Sequence, residues 1–279
     1  MNNADNILNG KEIAAKHFAK LSKEIAALKT QGTRLTLATI QVGGAHESKL
    51  YAKTIENFIK KLGINHKPLV FQDTIQEYAL RLEINRLNFD PEVTGILIFA
   101  PLPRHLHLES LLSALSILKD VEGRRLLKNG INQVMPPTAM AAVALFEETG
   151  IEAGGKEALI IGRSDVVGKP AALLMLDKNA TVTIAHSQTK DLEGHVKRSD
   201  IVIVSVGKAN LVKGHWIKSG AVVIDVGENV VNGKIVGDVE FEKAKERAAF
   251  ISPVPGGVGP VTNVMLVRNL ITLSGLQKT

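Results

Sequence analysis

Between residues 11 and 30 apolar side chains recur every three or four positions with lysines and glutamates between them, which predicts an amphipathic helix. A β-rich run from Arg34 to Val42 follows, then a second helix from about Glu47 to Leu62. The pattern repeats with a short strand at Leu69–Phe71, a helix near Ile75–Leu87 and a continuous apolar strand at Gly95–Phe99. Alternation of strand and helix predicts a parallel sheet covered by helices. Ala100-Pro101-Leu102-Pro103 punctuates the exit from the last strand, at the carboxyl end, where open α/β sheets bind ligands. Val134-Met135-Pro136-Pro137-Thr138 reads as a hinge, with Thr138 placed to cap an apolar helix Ala139–Glu148.

The second half repeats the theme more regularly. Strands at Ala158–Ile161, Thr181–Ala185, Ile201–Ser205 and Ala221–Val226 alternate with helical or loop segments at the spacing of a doubly wound sheet. A strand-like Phe250–Ser252 leads into the glycine-rich Pro255-Gly256-Gly257-Val258-Gly259-Pro260, and an apolar helix from Val261 returns toward the first domain. The expected division is therefore one α/β domain over residues 1–137, joined by the helix 261–279, and a Rossmann-type domain over 138–260. No internal repeat or low-complexity segment interrupts it.

Composition narrows the classes. Two domains suit 279 residues, and 45% hydrophobic content suffices for two cores. No apolar stretch approaches the ~20 residues of a membrane span, and the opening segment has acids and amides where a signal peptide needs basic then apolar residues, so the reading is a soluble cytoplasmic protein. The absence of cysteine removes disulfides, thiolate catalysis and cysteine-ligated metal. A net charge of +6 is spread among acids, and aromatics make up only 4%, so small anionic ligands fit better than nucleic acid. His105 and His107 mimic a metal pair beside the Pro101–Pro103 loop, but no third ligand accompanies them and the expectation is no metal.

Candidate chemistry begins where the strand Ala158–Ile161 opens into Gly162-Arg163-Ser164-Asp165-Val166-Val167-Gly168-Lys169-Pro170. Glycine permits a tight turn, and the N–H groups at a helix start favour phosphate, although a plain strand-to-helix turn has the same look. A site selective for NAD would place a carboxylate at the end of the next strand, yet Ala185-His186-Ser187-Gln188-Thr189 follows. A ribose 2′-phosphate would meet no repulsion there and could sit against Arg163 and Ser187. By itself Arg163 reads equally as a solvated loop residue.

These segments, with Ala180-Thr181-Val182-Thr183, Val223-Ile224-Asp225-Val226-Gly227, Gly237-Asp238-Val239 and Pro253–Pro260, resemble the bifunctional methylenetetrahydrofolate dehydrogenase and methenyltetrahydrofolate cyclohydrolase family across essentially the whole chain. The resemblance implies a catalytic domain and an NADP domain facing each other across a cleft, usually in a homodimer, acting on tetrahydrofolate derivatives. It implies that Gly162, Arg163, Ser164, Ser187, Gly207 and Glu228 meet the cofactor. It also implies that Pro255, Gly256, Gly257, Val258, Gly259, Pro260 and Thr262 lie against the folate. The pterin would be flanked by Tyr51 and bound through the acidic pair Asp120 and Glu122, with Tyr51 and Asp120 as the catalytic residues that the resemblance leaves in place.

Departures from the family pattern fall on the chemistry. The family's Ser-x-x-Tyr-x-x-x-Lys helix reads Ser48-Lys49-Leu50-Tyr51-Ala52-Lys53-Thr54-Ile55, with Ile55 for the lysine. Tyrosine and lysine four apart share a helical face, so the amine could transfer protons beside the ring. Lys49 and Lys53 each stand about 200° from Tyr51 round the helix and do not replace it. The family's Val-Gln-Leu-Pro-Leu-Pro reads Ile98-Phe99-Ala100-Pro101-Leu102-Pro103, with Phe99 for a glutamine that bonds that lysine. Losing both partners resembles a compensated repacking, because one orphaned polar partner would be costly. Glu122 stands for a second aspartate, and Glu228 for an aliphatic residue near the nicotinamide; turned inward it would favour the oxidised ring, turned outward it would do nothing.

Three readings stay open from sequence: a folate dehydrogenase and cyclohydrolase with the hydrolytic step in doubt, an NADP-dependent dehydrogenase of another substrate, or a non-catalytic NADP- or folate-binding paralogue.

Overall fold

The structure, a computed structural model, describes residues 6–124 and 134–278. It divides into two compact units, one made of the chain up to His17 with Pro136–Met265, the other of Phe18–Met135 with Leu266–Thr279. The first segment joins the nucleotide-type half because Leu8 N–H donates to Ile251 O at 2.8 Å and Ile251 N–H to Asn6 O at 2.9 Å. Gly10 is needed in the same place, since a Cβ there would lie 1.7 Å from Gly257 O.

In the second unit, α1 (Gly10–Thr30) continues past His17 and is followed by β1 (Thr36–Val42), α2 (His46–Lys61), β2 (Asn65–Phe71), α3 (Glu77–Phe89), β3 (Gly95–Ile98) and α4 (Leu108–Ala114). Its sheet has the order β2-β1-β3 and is parallel. Buried Ala38, Ile40, Ile96 and Ile98 meet Leu80, Ile84 and Leu87 of α3 and Leu111 and Leu112 of α4. β2 is longer than the three residues expected because it pairs with β1 from Asn65 to Phe71. As an edge strand it tolerates Pro68, whose missing N–H would disrupt a central one.

The other unit holds α5 (Pro137–Glu147), β4 (Glu157–Ile161), α6 (Gly168–Asp177), β5 (Thr181–Ala185), α7 (Leu192–Arg198), β6 (Ile201–Val204), β7 (Val222–Asp225), β8 (Asn229–Val231), β9 (Lys234–Val236), α8 (Phe241–Lys245), β10 (Phe250–Ile251) and the start of α9 (Val258–Leu276). Five strands pair in parallel in the order β10-β7-β6-β4-β5. Alternate residues feed two cores: Ala158, Ile160, Ile201 and Ile203 meet α5 and α6, while Leu159, Ile161, Val202 and Val204 meet Val196 and Ala244. Thr138 does not cap α5. Pro136 is the N-cap and Pro137 opens the helix, where a missing N–H costs no hydrogen bond. β8 and β9 form an antiparallel hairpin that the sequence reading missed.

Candidate active site

Strand order reverses between β5 and β6 on either side of β4, the switch point where doubly wound sheets bind nucleotides. A cavity of about 420 Å³ opens there, lined among others by Gly162, Arg163, His186, Ser187, Ser205 and Lys208. Gly162 has φ +125°, and a Cβ would lie 2.6 Å from Ser205 O. The Gly168 position is equally closed, 2.2 Å from Gly162 O, so α6 starts hard against the strand end. Ser164 Oγ accepts from Val167 N–H at 3.1 Å and supports that first turn. Ser205 Oγ is buried and has no hydrogen-bond partner, an unmet polar group that a bound nucleotide would satisfy. Arg163 and Lys208 supply two cations, and no carboxylate ends β5. The donor set therefore fits a phosphorylated dinucleotide.

Of the residues expected at the cofactor, Gly162, Arg163 and Ser187 line this cavity and Ser164 underpins it. Gly207, at φ +64°, lies between the lining residues Val206 and Lys208, and Glu228 is exposed and outside the lining. Lys208 and Ser205 were missed. Both sit just beyond β6, where carboxyl-end loops of a parallel sheet collect ligand contacts, and that position was the available signal.

In the same unit the Pro255–Thr262 segment is part loop and part helix, because α9 begins at Val258. Gly256 takes φ +107° and Gly257 is closed by Pro253 O, 2.5 Å from a Cβ. Gly10 N–H donates to Gly256 O at 2.8 Å, fixing the turn. Thr262 Oγ1 returns to Val258 O at 3.4 Å inside the helix.

In the other unit, α2 aligns Ser48, Tyr51 and Ile55 along one face. Ile55 is fully buried and Phe99 is 2% exposed. The Tyr51 and Phe99 rings meet edge to face at 5.5 Å, which sets the phenylalanine beside the helix that carries Ile55. Ser48 Oγ is buried and unpartnered. Lys49 and Lys53 are exposed. Lys119 is buried but committed elsewhere, donating to Leu87 O at 2.9 Å and Asp90 O at 2.6 Å at the end of α3. No lysine among these takes the amine's place.

A cation does reach this group. Gly123, at φ +58°, turns the chain so that Arg124 Nη2 meets Glu122 Oε1 at 3.0 Å. Asp120 Oδ1 accepts from Glu122 N–H at 3.2 Å, and Asn269 of α9 ties the segment down by donating to Val121 O and Met135 O, each at 2.8 Å. Burial pushes the Tyr51 phenol up to about 12, with the Glu122 charge adding to the shift and Arg124 opposing it. Burial also pushes the Glu122 carboxyl up, against the pull of Arg124. The Tyr51 phenol therefore keeps its proton near neutral pH. Arg124 was missed in sequence; Gly123, permitting a left-handed turn between two charged residues, was the usable sign.

The two histidines are accounted for by neighbours: His107 Nδ1 lies 3.1 Å from Glu77 Oε2, and His105 Nε2 lies 2.9 Å from Ile75 O. Among the described residues no cluster of three His, Cys, Asp or Glu is placed to hold a metal, and no helix is long and apolar enough to cross a membrane.

These features define the class as a two-unit α/β protein with a nucleotide-binding, doubly wound sheet. Residues 136–278 match the tetrahydrofolate dehydrogenase/cyclohydrolase NAD(P)-binding domain, and residues 8–122 match the catalytic domain of the same family. The chain belongs to the tetrahydrofolate dehydrogenase/cyclohydrolase family. It is 44% identical to the bifunctional protein FolD of Anaeromyxobacter dehalogenans over 96% of this chain and 98% of the relative. To the Bacillus subtilis FolD it is 43% identical over 95% of this chain and 96% of that one. Among solved structures it resembles the bifunctional enzyme FolD of Campylobacter jejuni (TM-score 0.91, 36% identity, 97% of this chain and 99% of that one). It also resembles the Trypanosoma brucei FolD complexed with NADP and an inhibitor (TM-score 0.88, 34% identity, 98% of each chain).

Proposed function

We propose that this chain oxidises 5,10-methylenetetrahydrofolate with NADP and hydrolyses the methenyl product to 10-formyltetrahydrofolate only weakly. One observation carries the second half: buried Ile55 and Phe99 occupy the positions of the family's lysine and glutamine, with Tyr51 one helical turn before Ile55 and in contact with Phe99.

NADP, when bound, supplies the hydride acceptor. The chain's own part is to hold it through Arg163, Ser187 and Lys208 and to offer it the buried, unpartnered Ser205 hydroxyl. Charge-assisted bonds from Arg163 and Lys208 favour a 2′-phosphate over a free hydroxyl. Tyr51 flanks the pterin as a neutral phenol, and Glu122 accepts from the pterin amino and ring N–H groups while Asp120 steadies its backbone. The Pro255–Thr262 segment lies against the folate. Hydride transfer depends mainly on this positioning. Hydrolysis must also activate water and move protons, a contribution of about 10² to 10⁴ in rate that a lysine would supply and isoleucine does not. A homodimer in the cytoplasm belongs to the same proposal; exposed Tyr78, Leu82 and Phe89 along α3 supply an apolar face for a second copy.

Purified protein should show NADP-dependent oxidation of methylenetetrahydrofolate and hydrolysis of the methenyl form at least ~100-fold below a lysine-bearing relative. Hydrolysis equal to that relative would overturn the reading of Ile55. Failure to bind any folate would instead support the alternatives, a dehydrogenase of another substrate or a non-catalytic binding protein.

A further inference from the structure

Two buried carboxylates in the nucleotide-binding unit stand outside the cavity lining, yet they organise the loop that carries part of it. Asp238 has no exposed surface. Its Oδ2 accepts from Val206 N–H at 2.7 Å and Gly207 N–H at 3.0 Å, and its Oδ1 accepts from Lys208 N–H at 2.7 Å and Asn229 Nδ2 at 2.9 Å. Three successive backbone N–H groups converging in this way form a concavity that takes an anion, and here the anion is built in. The second carboxylate, Asp225 at the end of β7, holds the first: it accepts from Asp238 N–H at 3.1 Å, Val239 N–H at 2.8 Å and Gly227 N–H at 2.9 Å. Ser252 Oγ in turn receives Asp225 N–H at 2.8 Å.

The surrounding sequence is shaped to these groups. A Cβ at Gly227 would lie 2.1 Å from the Asp238 carboxyl carbon, and one at Gly237 would lie 2.0 Å from Asp225 Oδ2. Both glycines are therefore required by the carboxylates beside them. Gly207 takes φ +64° with nothing near a would-be Cβ, so it serves the turn that brings the three N–H groups together. Val206 and Lys208, on either side of it, line the cavity.

We propose that Asp238 is a positioning residue for the cofactor: by fixing the 206–208 backbone before any ligand arrives, it sets Lys208 toward the nucleotide, and Asp225 keeps it in place. This rests on the reading of the cavity as the NADP site. Preorganisation of this kind raises affinity by removing the ordering cost from the binding step.

The test uses the full chain and NADPH, followed by nicotinamide fluorescence. Wild-type protein that does not bind NADPH would defeat the assignment of the cavity, separately from this proposal. Given wild-type binding, Asp238→Asn should raise the Kd at least tenfold, Lys208→Gln should raise it about as much, and the double variant should be no weaker than the worse single. Michaelis constants for NADP should follow the Kd values while kcat changes less than threefold. A folded Asp238→Asn protein with wild-type affinity, or effects that multiply in the double variant, would overturn the proposal. Should Asp238→Asn not fold, amide hydrogen exchange on the wild type decides instead. Val206, Gly207 and Lys208 should be protected without ligand and slow less than threefold further with NADPH. Fast exchange of all three that NADPH suppresses would show that the ligand, not Asp238, builds the loop.

Discussion

Restoring the polar pair, Ile55→Lys with Phe99→Gln, is the most exacting check on the site around Tyr51. Ile55 has no exposed surface, so the lysine alone forfeits roughly 2–3 kcal/mol of apolar burial. It must also shed its proton to stay in an apolar site at pH 7, about 3.4 pKa units or ~5 kcal/mol. A domain stable by only ~5–15 kcal/mol comes close to unfolding from that change alone. Phe99→Gln removes a ring that is 2% exposed and its edge contact with Tyr51, and leaves an amide without a partner, together about 4 kcal/mol. In the double variant the amine and amide bond to each other, which returns about 2 kcal/mol. Urea unfolding of all four proteins gives this coupling directly, and loss of the methenyl chromophore gives the hydrolysis rate. The double variant should be less destabilised than the sum of the singles and should hydrolyse about 10²-fold faster than wild type. Additive destabilisation within ~0.5 kcal/mol, with hydrolysis unchanged in a folded double variant, would refute the argument.

Three further outcomes follow from the geometry. Arg163→Ala should weaken NADP binding about tenfold or more while leaving NAD nearly unaffected, read as the ratio of the two dissociation constants. Tyr51 is held at about 12 against an ordinary 10.0, so between those pH values the folded state keeps a proton that the unfolded state releases. Stability should fall by up to ~1.4 kcal/mol per pH unit there, about 3 kcal/mol in all, be unaffected below pH 10, and lose this slope in Tyr51→Phe, as measured by denaturant melts across alkaline pH. Asn269→Ala leaves Val121 O and Met135 O without their donor and should cost about 2–3 kcal/mol by thermal unfolding, with a further loss of folate binding as the Asp120–Arg124 segment loosens.

The strand and helix alternation was legible because both periods are strong in this chain, and the glycines of the Gly162–Gly168 turn announced a close strand-to-helix approach. What escaped depends on contacts that sequence spacing does not encode. β2 looked three residues long because Asn65-His66-Lys67-Pro68 is polar and ends in proline, yet an edge position accepts both. The β8–β9 hairpin was signalled by Asn232-Gly233, whose φ values of 50° and 74° suit a tight turn, but its exposed Val230 and Ile235 broke the expected burial pattern. Asp225 and Asp238 were visible as motifs without a role. Only the folded chain shows that one secures the other and that Gly227 and Gly237 make room for both.

The two halves of the chain treat buried charge differently, and that difference bears on which reaction persists. In the nucleotide-binding unit each buried carboxyl is met by several N–H donors, and these bonds build a rigid frame that directs Lys208. Around Tyr51 the polar pair of the family pattern has given way to an isoleucine and a phenylalanine, and the charges present, Glu122 and Arg124, neutralise each other. A positioned hydride transfer can proceed on a rigid frame and an aromatic wall. Proton transfer needs a group that titrates near neutral pH, and burial pushes Tyr51 far above it. Burial moves Glu122 toward neutrality, and the arginine that pairs with it opposes the shift. Under the proposed function, Ile55 takes a proton carrier out of this site, and hydrolysis, which needs one, is the step that weakens.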